Sequence, residues 1–470
     1  MKPSELWKLS SSEFNKYRRE NDLKNLFEVF EKKLPLFNEW LESHKFSIDF
    51  ILSTDKPGSF FYGLTDIILF KYENEGRIYF SFYAIEDEAH DKRLKKVKLE
   101  DNQQVFQFTP YLIWAQTKLG KKKIIPAAHS GEVDSFIFNI INAPDVPEIS
   151  RNTIVPGFKV IKLGATEVDN AWALVDRNLD FADLDFLEIK SDSGSNREIN
   201  ILYSSCRHMK ITNSEINFTT FKGCHFFNLV VNNSRMYHVN FENCDLFKVD
   251  FNEAQLSNLA IEMCSVSGIS FNKVEVDNLI YNPPKEERHV NKIGTYQNVA
   301  DNYKRLRVLY QNNGHRVETS DAYFMERLYE YKYNLHSMRF FAAFKQIWKV
   351  DFNYAWPDIR ENFTKLWNVI ADFISLLIWG FGEKPFRTLL FTLATVIIYS
   401  LIYYFSDVTA IGGNYRNCLY LSSIMFSTLG FGDYTPFATS DLKLVLASES
   451  LIGAFTFGLF IAGYANKSKY

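Results

Sequence analysis

From Ile211 to Val276 every fifth residue is apolar: Ile211, Ile216, Phe221, Phe226, Val231, Met236, Phe241, Leu246, Phe251, Leu256, Ile261, Val266, Phe271 and Val276. In a chain that is 46% apolar, chance produces such a run about once in 10,000, even with five frames to choose from. The residue two before each centre is small or apolar too, from Ser214, Thr219 and Cys224 to Cys264 and Ile269. This is an internal repeat, and it dominates the middle of the chain.

The flanking patterns differ. Residues 1–44 read as helical, with a capping box from Ser10 to Glu13 and periodic Leu23, Leu26, Phe27, Phe30 and Leu34. Residues 46–165 carry short β-prone runs, at 67–72 and 78–83, joined by a hairpin turn at Glu73-Asn74-Glu75-Gly76. A mixed α/β domain over residues 1–165 follows. Asn282-Pro283-Pro284 ends the repeats, and helices are predicted at 303–311 and 320–338 around Asn312-Asn313-Gly314. Residues 388–405 and 442–464 are apolar runs of about 27 and 35 Å as helices, each able to cross a bilayer. The run 366–381 is shorter and is broken by Asp372. It predicts a helix lying in the membrane interface, with Trp367 and Trp379 at headgroup depth; a cytosolic core helix is the competing reading.

Composition narrows the function. A formal charge of −3 gives no reason to expect a nucleic-acid partner. Five cysteines, none in a C-x-x-C pair, define neither a zinc site nor a disulfide framework, and a reducing compartment fits them. The basic clusters at 92–98 and 118–123 read as solvated loops, and His44, His90 and His129 as surface or packing residues. No phosphate loop, metal spacing or nucleophile constellation is legible in residues 46–165, so no enzymatic activity and no cofactor is expected. The first thirty residues are charged and hold no apolar run, which places the N-terminus in the cytoplasm.

The chemistry lies between the two long apolar runs. Thr428-Leu429-Gly430-Phe431-Gly432-Asp433 sets glycines at alternate positions, where the backbone takes angles that L-residues resist. Such angles permit consecutive carbonyls to face one axis, which is what a site that replaces the water of a dehydrated cation needs. Residues 415–427 are long enough for a re-entrant helix whose C-terminal end aims partial negative charge at that cation. The stretch resembles the T-x-G-[YF]-G-D signature of tetrameric potassium channels of the two-transmembrane-helix kind. The resemblance implies potassium ions at Thr428, Leu429, Gly430 and Phe431, an Asp433 carboxylate ring at the mouth, and a homotetramer. Phe431 replaces the commoner tyrosine, and Ile424 stands where some channels carry an acid. On the second run, Gly453 and Gly458 resemble the inner helix of such channels. Gly453 is then either a gating hinge or a packing glycine, Phe457 and Ile461 line the cavity, and Ala462 lies near the inner gate. Glu449, a carboxylate within the run, is expected behind the filter as a brace; a near-surface residue without that role is the alternative.

The repeat resembles the pentapeptide-repeat family, and Ala182-Asp183-Leu184 fits its A-[DN]-L-x-x consensus before residues 191–196 interrupt the register. That family implies a right-handed, four-sided β-helix, here over residues 166–282, with twenty residues per coil. Cys224, Cys244 and Cys264 then form an inward ladder, with Ser204 one coil earlier. The ladder is either a redox or metal column or small buried packing residues. Residues 199–282 hold eight acidic and six basic side chains, so the acidic surface by which some members imitate DNA is missing.

The plan is therefore multidomain: an α/β domain (1–165), a β-helix (166–282), a helical hairpin linker (283–350), an interfacial helix (351–387) and a two-helix pore module (388–470). The pairing of repeats with a pore looks bacterial. Lys384, Arg387, Lys467 and Lys469 flank the spans and put both termini in the cytoplasm of a cell-membrane protein with two spans. No Arg-rich voltage sensor precedes the pore, so a small-molecule or protein regulator is expected to act through residues 1–350. The expected function is potassium conduction gated by those domains. A non-selective cation channel, or a membrane-tethered interaction scaffold, are the alternatives.

Overall fold

The computed structural model describes residues 1–34, 36–54, 56–61, 65–74, 77–85, 103–119, 161–284, 292–338, 352–406, 414–430 and 440–467. Two units emerge, Met1–Val290 and Asn291–Tyr470. Within the first, Ser11–Arg18 (α1), Lys24–Lys33 (α2) and Phe37–His44 (α3) precede a three-stranded antiparallel sheet. The Ser10–Glu13 capping box is formed. Ile67–Asn74 (β1) pairs with Arg77–Ala84 (β2) as the hairpin pattern predicts, and on its other edge with Gln103–Phe108 (β3). Tyr111–Leu119 (α4) follows. The basic residues at 92–98 and 120–123, and His90 and His129, lie outside the described residues. His44 is a packing residue: its ring accepts from the Thr109 amide at 3.1 Å and lies 3.0 Å from the Trp40 carbonyl.

The high phenylalanine content has a place. Phe27, Phe30, Phe37, Trp40, Phe61 and Tyr111 form a buried aromatic core, and Phe181, Leu202 and Tyr203 of the repeat region belong to the same core. The α/β domain thus folds onto the first coils. Arg18, fully buried, donates through Nη1 to the Asn178 and Asp180 carbonyls at 2.7 and 2.8 Å and through Nη2 to Asp22 at 2.7 Å. The Asp180 carboxylate accepts from the Gly58 and Leu202 amides at 2.9 and 3.1 Å. Burial raises it to about 7, against those two donors and the charge of Arg18.

The repeats wind into a parallel β-solenoid. Glu215 pairs with Arg235, Arg235 with Gln255 and Gln255 with Glu275, each twenty residues on. From Tyr203 to Lys273 every fifth residue is left-handed, with φ between 45° and 78°. A corner every five residues and a coil of twenty make four sides. L-residues resist this conformation by roughly 1–2 kcal/mol each, asparagine least among them, and asparagine takes five corners (213, 228, 233, 243 and 258). The offset is larger early on: Ile189 pairs with Ile211, twenty-two residues on, whereas Ile199 pairs with Thr219, twenty on. The surplus is absorbed between them, where the sequence loses its period.

Thirteen of the fourteen repeat centres are buried and Phe271 is half-buried. Phe221 stacks on Phe241 at 5.2 Å and Phe251 on Phe271 at 5.5 Å between ring centroids. The position two before each centre does more than stay small. Ser204, Ser214 and Ser234 donate to backbone carbonyls of their own and the preceding coil, as do Cys224, Cys244 and Cys264. In return Ser214 N donates to Ser234 Oγ (3.1 Å) and Cys244 N to Cys264 Sγ (3.2 Å). These contacts give the thiols a hydrogen-bonding and packing part in the core. Burial holds the Cys244 thiol above its ordinary range.

In the second unit Lys292–Asn312 (α5) and Arg316–Ser337 (α6) form a hairpin, turned at Gly314 (φ 77°). Arg307 pairs with Glu326 at 2.7 Å and Tyr303 stacks on Tyr329, which sets the helices antiparallel. Among the described residues four further helices follow: Phe352–Ile378 (α7), Pro385–Phe405 (α8), Tyr415–Phe426 (α9) and Ser440–Lys467 (α10). Pro385–Phe405 and Leu442–Ala465 are long and apolar enough to cross a membrane. Only 22% of each is buried, so most of their apolar surface faces outward, as for helices meant for lipid or further subunits.

Candidate ion-conduction site

The short helix α9 is held between the two candidate spans. Its first turn is capped by Asn414, whose side chain accepts from the Arg416 amide at 3.0 Å. Cys418, Leu421 and Met425 repeat at helical spacing and bury one face against Tyr403 of α8 and Leu442 and Leu446 of α10. An apolar contact alone would let α9 slide, and polar contacts fix its position. Glu449 of α10 is fully buried; its Oε1 accepts from Ser422 of α9 and its Oε2 from Tyr403 of α8. One carboxylate thus joins three helices. The Ser422 hydroxyl also lies 2.9 Å from the Val396 carbonyl oxygen. The Tyr399 and Ser448 hydroxyls are 2.9 Å apart.

Two more contacts fix the C-terminal end of α9. Ser450 Oγ donates to the Met425 carbonyl at 3.2 Å. At Gly453, a Cβ would stand 1.9 Å from the Phe426 carbonyl oxygen, so α10 approaches α9 at a position where it carries no side chain. The helix runs unbroken through Gly453. Phe426 and Phe457 rings lie 6.2 Å apart.

The chain leaves α9 through a Schellman motif. Leu429 N donates to the Ile424 carbonyl and Thr428 N to the Met425 carbonyl, both at 3.1 Å, with Thr428 in the left-handed region (φ 59°). Gly430 has φ 101°, a conformation only glycine adopts freely, and nothing lies within 4 Å of where its Cβ would be. Leu429 is 81% exposed. Phe431, Gly432 and Asp433 lie outside the described residues. On α10, Phe457, Gly458, Ile461 and Ala462 are exposed in the single chain, and Gly458 has open space where a Cβ would sit.

The sequence singled out Glu449 but missed Tyr403, Ser422 and Ser450. Their signal was present: each is a polar residue in an apolar stretch, where a hydrogen-bond partner is required.

Residues 391–468 match the family model described as Ion channel. The match supports an ion channel. It begins within α8, takes in the whole of α9 and ends at the C-terminus of α10, so it covers the geometry just described and leaves the solenoid and α/β domain outside. A search of curated proteins finds no match to the chain.

Proposed function

We propose that the chain is one subunit of a homotetrameric, potassium-selective channel whose filter is Thr428-Leu429-Gly430-Phe431-Gly432-Asp433. One observation carries this reading: a helix buttressed between two apolar spans delivers the chain to Gly430 in a glycine-only conformation, at the start of a potassium-filter sequence. One filter per chain cannot surround an ion, so four copies are needed. Glu449 braces the helix behind the filter. Phe457, Gly458, Ile461 and Ala462 line the inner path, and the gate lies there. A regulator acts through residues 1–350, with the repeats of the pentapeptide kind as a rigid spacer.

The test is the reversal potential of the reconstituted full-length protein in planar bilayers, with potassium on one side and sodium on the other. A reversal near that of potassium alone, lost in Gly430→Ala, is expected. A reversal near zero would mean a non-selective pore and overturn the selectivity.

A further inference from the structure

Asp372 and Glu383 are carboxylates in an otherwise apolar region, and the conduction site uses neither. Both are nearly buried, at 8% and 5% exposure. Burying a carboxylate costs several kcal/mol unless a partner compensates. Both partners come from one helix, α6. Arg327 Nη2 donates to Asp372 Oδ1 at 2.7 Å, and Ser320 Oγ donates to Glu383 Oε2 at 2.5 Å.

These two contacts bracket the turn between α7 and α8. Gly380, Phe381 and Gly382 are all left-handed there, with φ of 58°, 58° and 90°. Phe381 pays the strain of that conformation and is nonetheless buried, packed 5.9 Å from Phe324 of α6. Cations complete the grip: Lys384 Nζ lies 4.0 Å from the Phe324 ring centroid, Arg387 5.6 Å from it, and Arg327 5.8 Å from that of Phe381. Arg387 also donates to the Leu376 carbonyl at 2.8 Å, binding the first turn of α8 to the last of α7. On the other side of the turn stands Gly463 of α10, where a Cβ would be 3.7 Å from the Gly382 oxygen and 3.9 Å from Pro385 Cβ.

We propose that residues 379–384 are a coupling joint: α6 clasps the turn through Arg327–Asp372 and Ser320–Glu383, and the turn holds the C-terminal end of α10 at Gly463. The joint has two states. With the clasp closed, both carboxylates are compensated; with it open, neither can stay buried, and the turn must leave α10. This rests on the conduction reading, in that it names where a signal from residues 1–350 reaches the pore.

Hydrogen exchange and single-channel recording on the full-length protein in liposomes test it, with Arg327→Glu, Asp372→Arg and the double charge swap. Each single variant should raise exchange about tenfold or more in residues 379–384 and 459–467, leave residues 415–426 unchanged, and shift open probability by about tenfold. The double variant should bring both readouts back to within about twofold of wild type. Ser320→Ala, a milder change, should move them in the same direction if a charge reversal prevents folding. Faster exchange confined to α6 and α7, with 459–467 untouched, would overturn the joint. Absence of current from the wild type and from every one of these variants would sink the conduction reading alone, because exchange still decides the coupling.

Discussion

Gly453 of α10 and Phe426 of α9 touch backbone to backbone: a Cβ on the glycine would stand 1.9 Å from the Phe426 carbonyl oxygen and 2.8 Å from its carbon. Backbone atoms cannot swing aside as a side-chain end can, so Gly453→Ala must push α9 off α10. Overpacking of this kind costs about 1–3 kcal/mol, and here it also displaces the helix that leads into Gly430. Gly453→Ala is expected to lower the melting temperature in detergent and to abolish or degrade selective flux. Gly458→Ala, five residues on and in open space, should leave the melting temperature unchanged. Equal effects of the two substitutions would favour a hinge at both over packing at the first.

Glu449→Ala removes the acceptor for Tyr403 and one of two for Ser422. An unmatched buried hydroxyl costs about 1–3 kcal/mol, and thermal unfolding should register that loss. Glu449→Gln keeps a carbonyl for one hydroxyl and offers an amide to the other, so less than half of the effect is expected. If the brace positions the filter, Glu449→Ala also moves the reversal potential toward zero, whereas a purely structural role lowers the melting temperature and leaves reversal alone.

Asp180 should give the unit Met1–Val290 an unusual pH dependence. Its folded-state value of about 7 lies above the ordinary carboxyl value of 3.8. Between about pH 4 and pH 7 the folded state therefore holds a proton that the unfolded state has released. Stability falls as pH rises through that window, by at most about 1.4 kcal/mol per pH unit, and is level above it. Urea unfolding followed by tryptophan fluorescence should show this slope in wild type and its loss in Asp180→Asn. A wild-type curve that rises over the same window would refute the assignment.

The cysteine ladder should behave as a hydrogen-bonding column. Serine already fills the equivalent place at 204, 214 and 234, so Cys264→Ser is expected to change stability by no more than about 1 kcal/mol. Cys264→Val leaves the Cys244 amide without its acceptor and should cost about 1–3 kcal/mol. Thermal melts with and without a thiol reductant or a chelator complete the test; a shift of several degrees with either reagent would revive the redox or metal reading.

Local periodicity was legible and distant partnership was not. The five-residue repeat, the hairpin of β1 and β2, α9 and both apolar spans repeat their signal within a few residues, and each appears where its pattern put it. The helix predicted at 303–311 begins at Lys292. Gly294 and the β-branched Thr295 and Val299 weaken its propensity, while burial of Tyr296, Val299 and Ala300 restores it through tertiary packing. The segment read from 366 starts at Phe352, because Asn353, Asp358, Arg360 and Glu361 hide a helix from a search for apolar runs. Asp372 was visible as a charge out of place, but its partner Arg327 lies forty-five residues earlier, beyond the reach of any pattern. At the site, the glycines of the filter were readable one by one, whereas the Tyr403–Glu449–Ser422 junction exists only once three helices meet.

The four corners of each solenoid coil also restrict how this protein can change in length. Excising five residues would turn everything downstream by a quarter of a revolution and bring a different side to every neighbour. Excising twenty would leave each side facing as before and merely lower the stack by about 4.8 Å, the spacing of adjacent strands. The distance spanned by the solenoid is therefore quantised, and whole coils are the units in which it can be gained or lost.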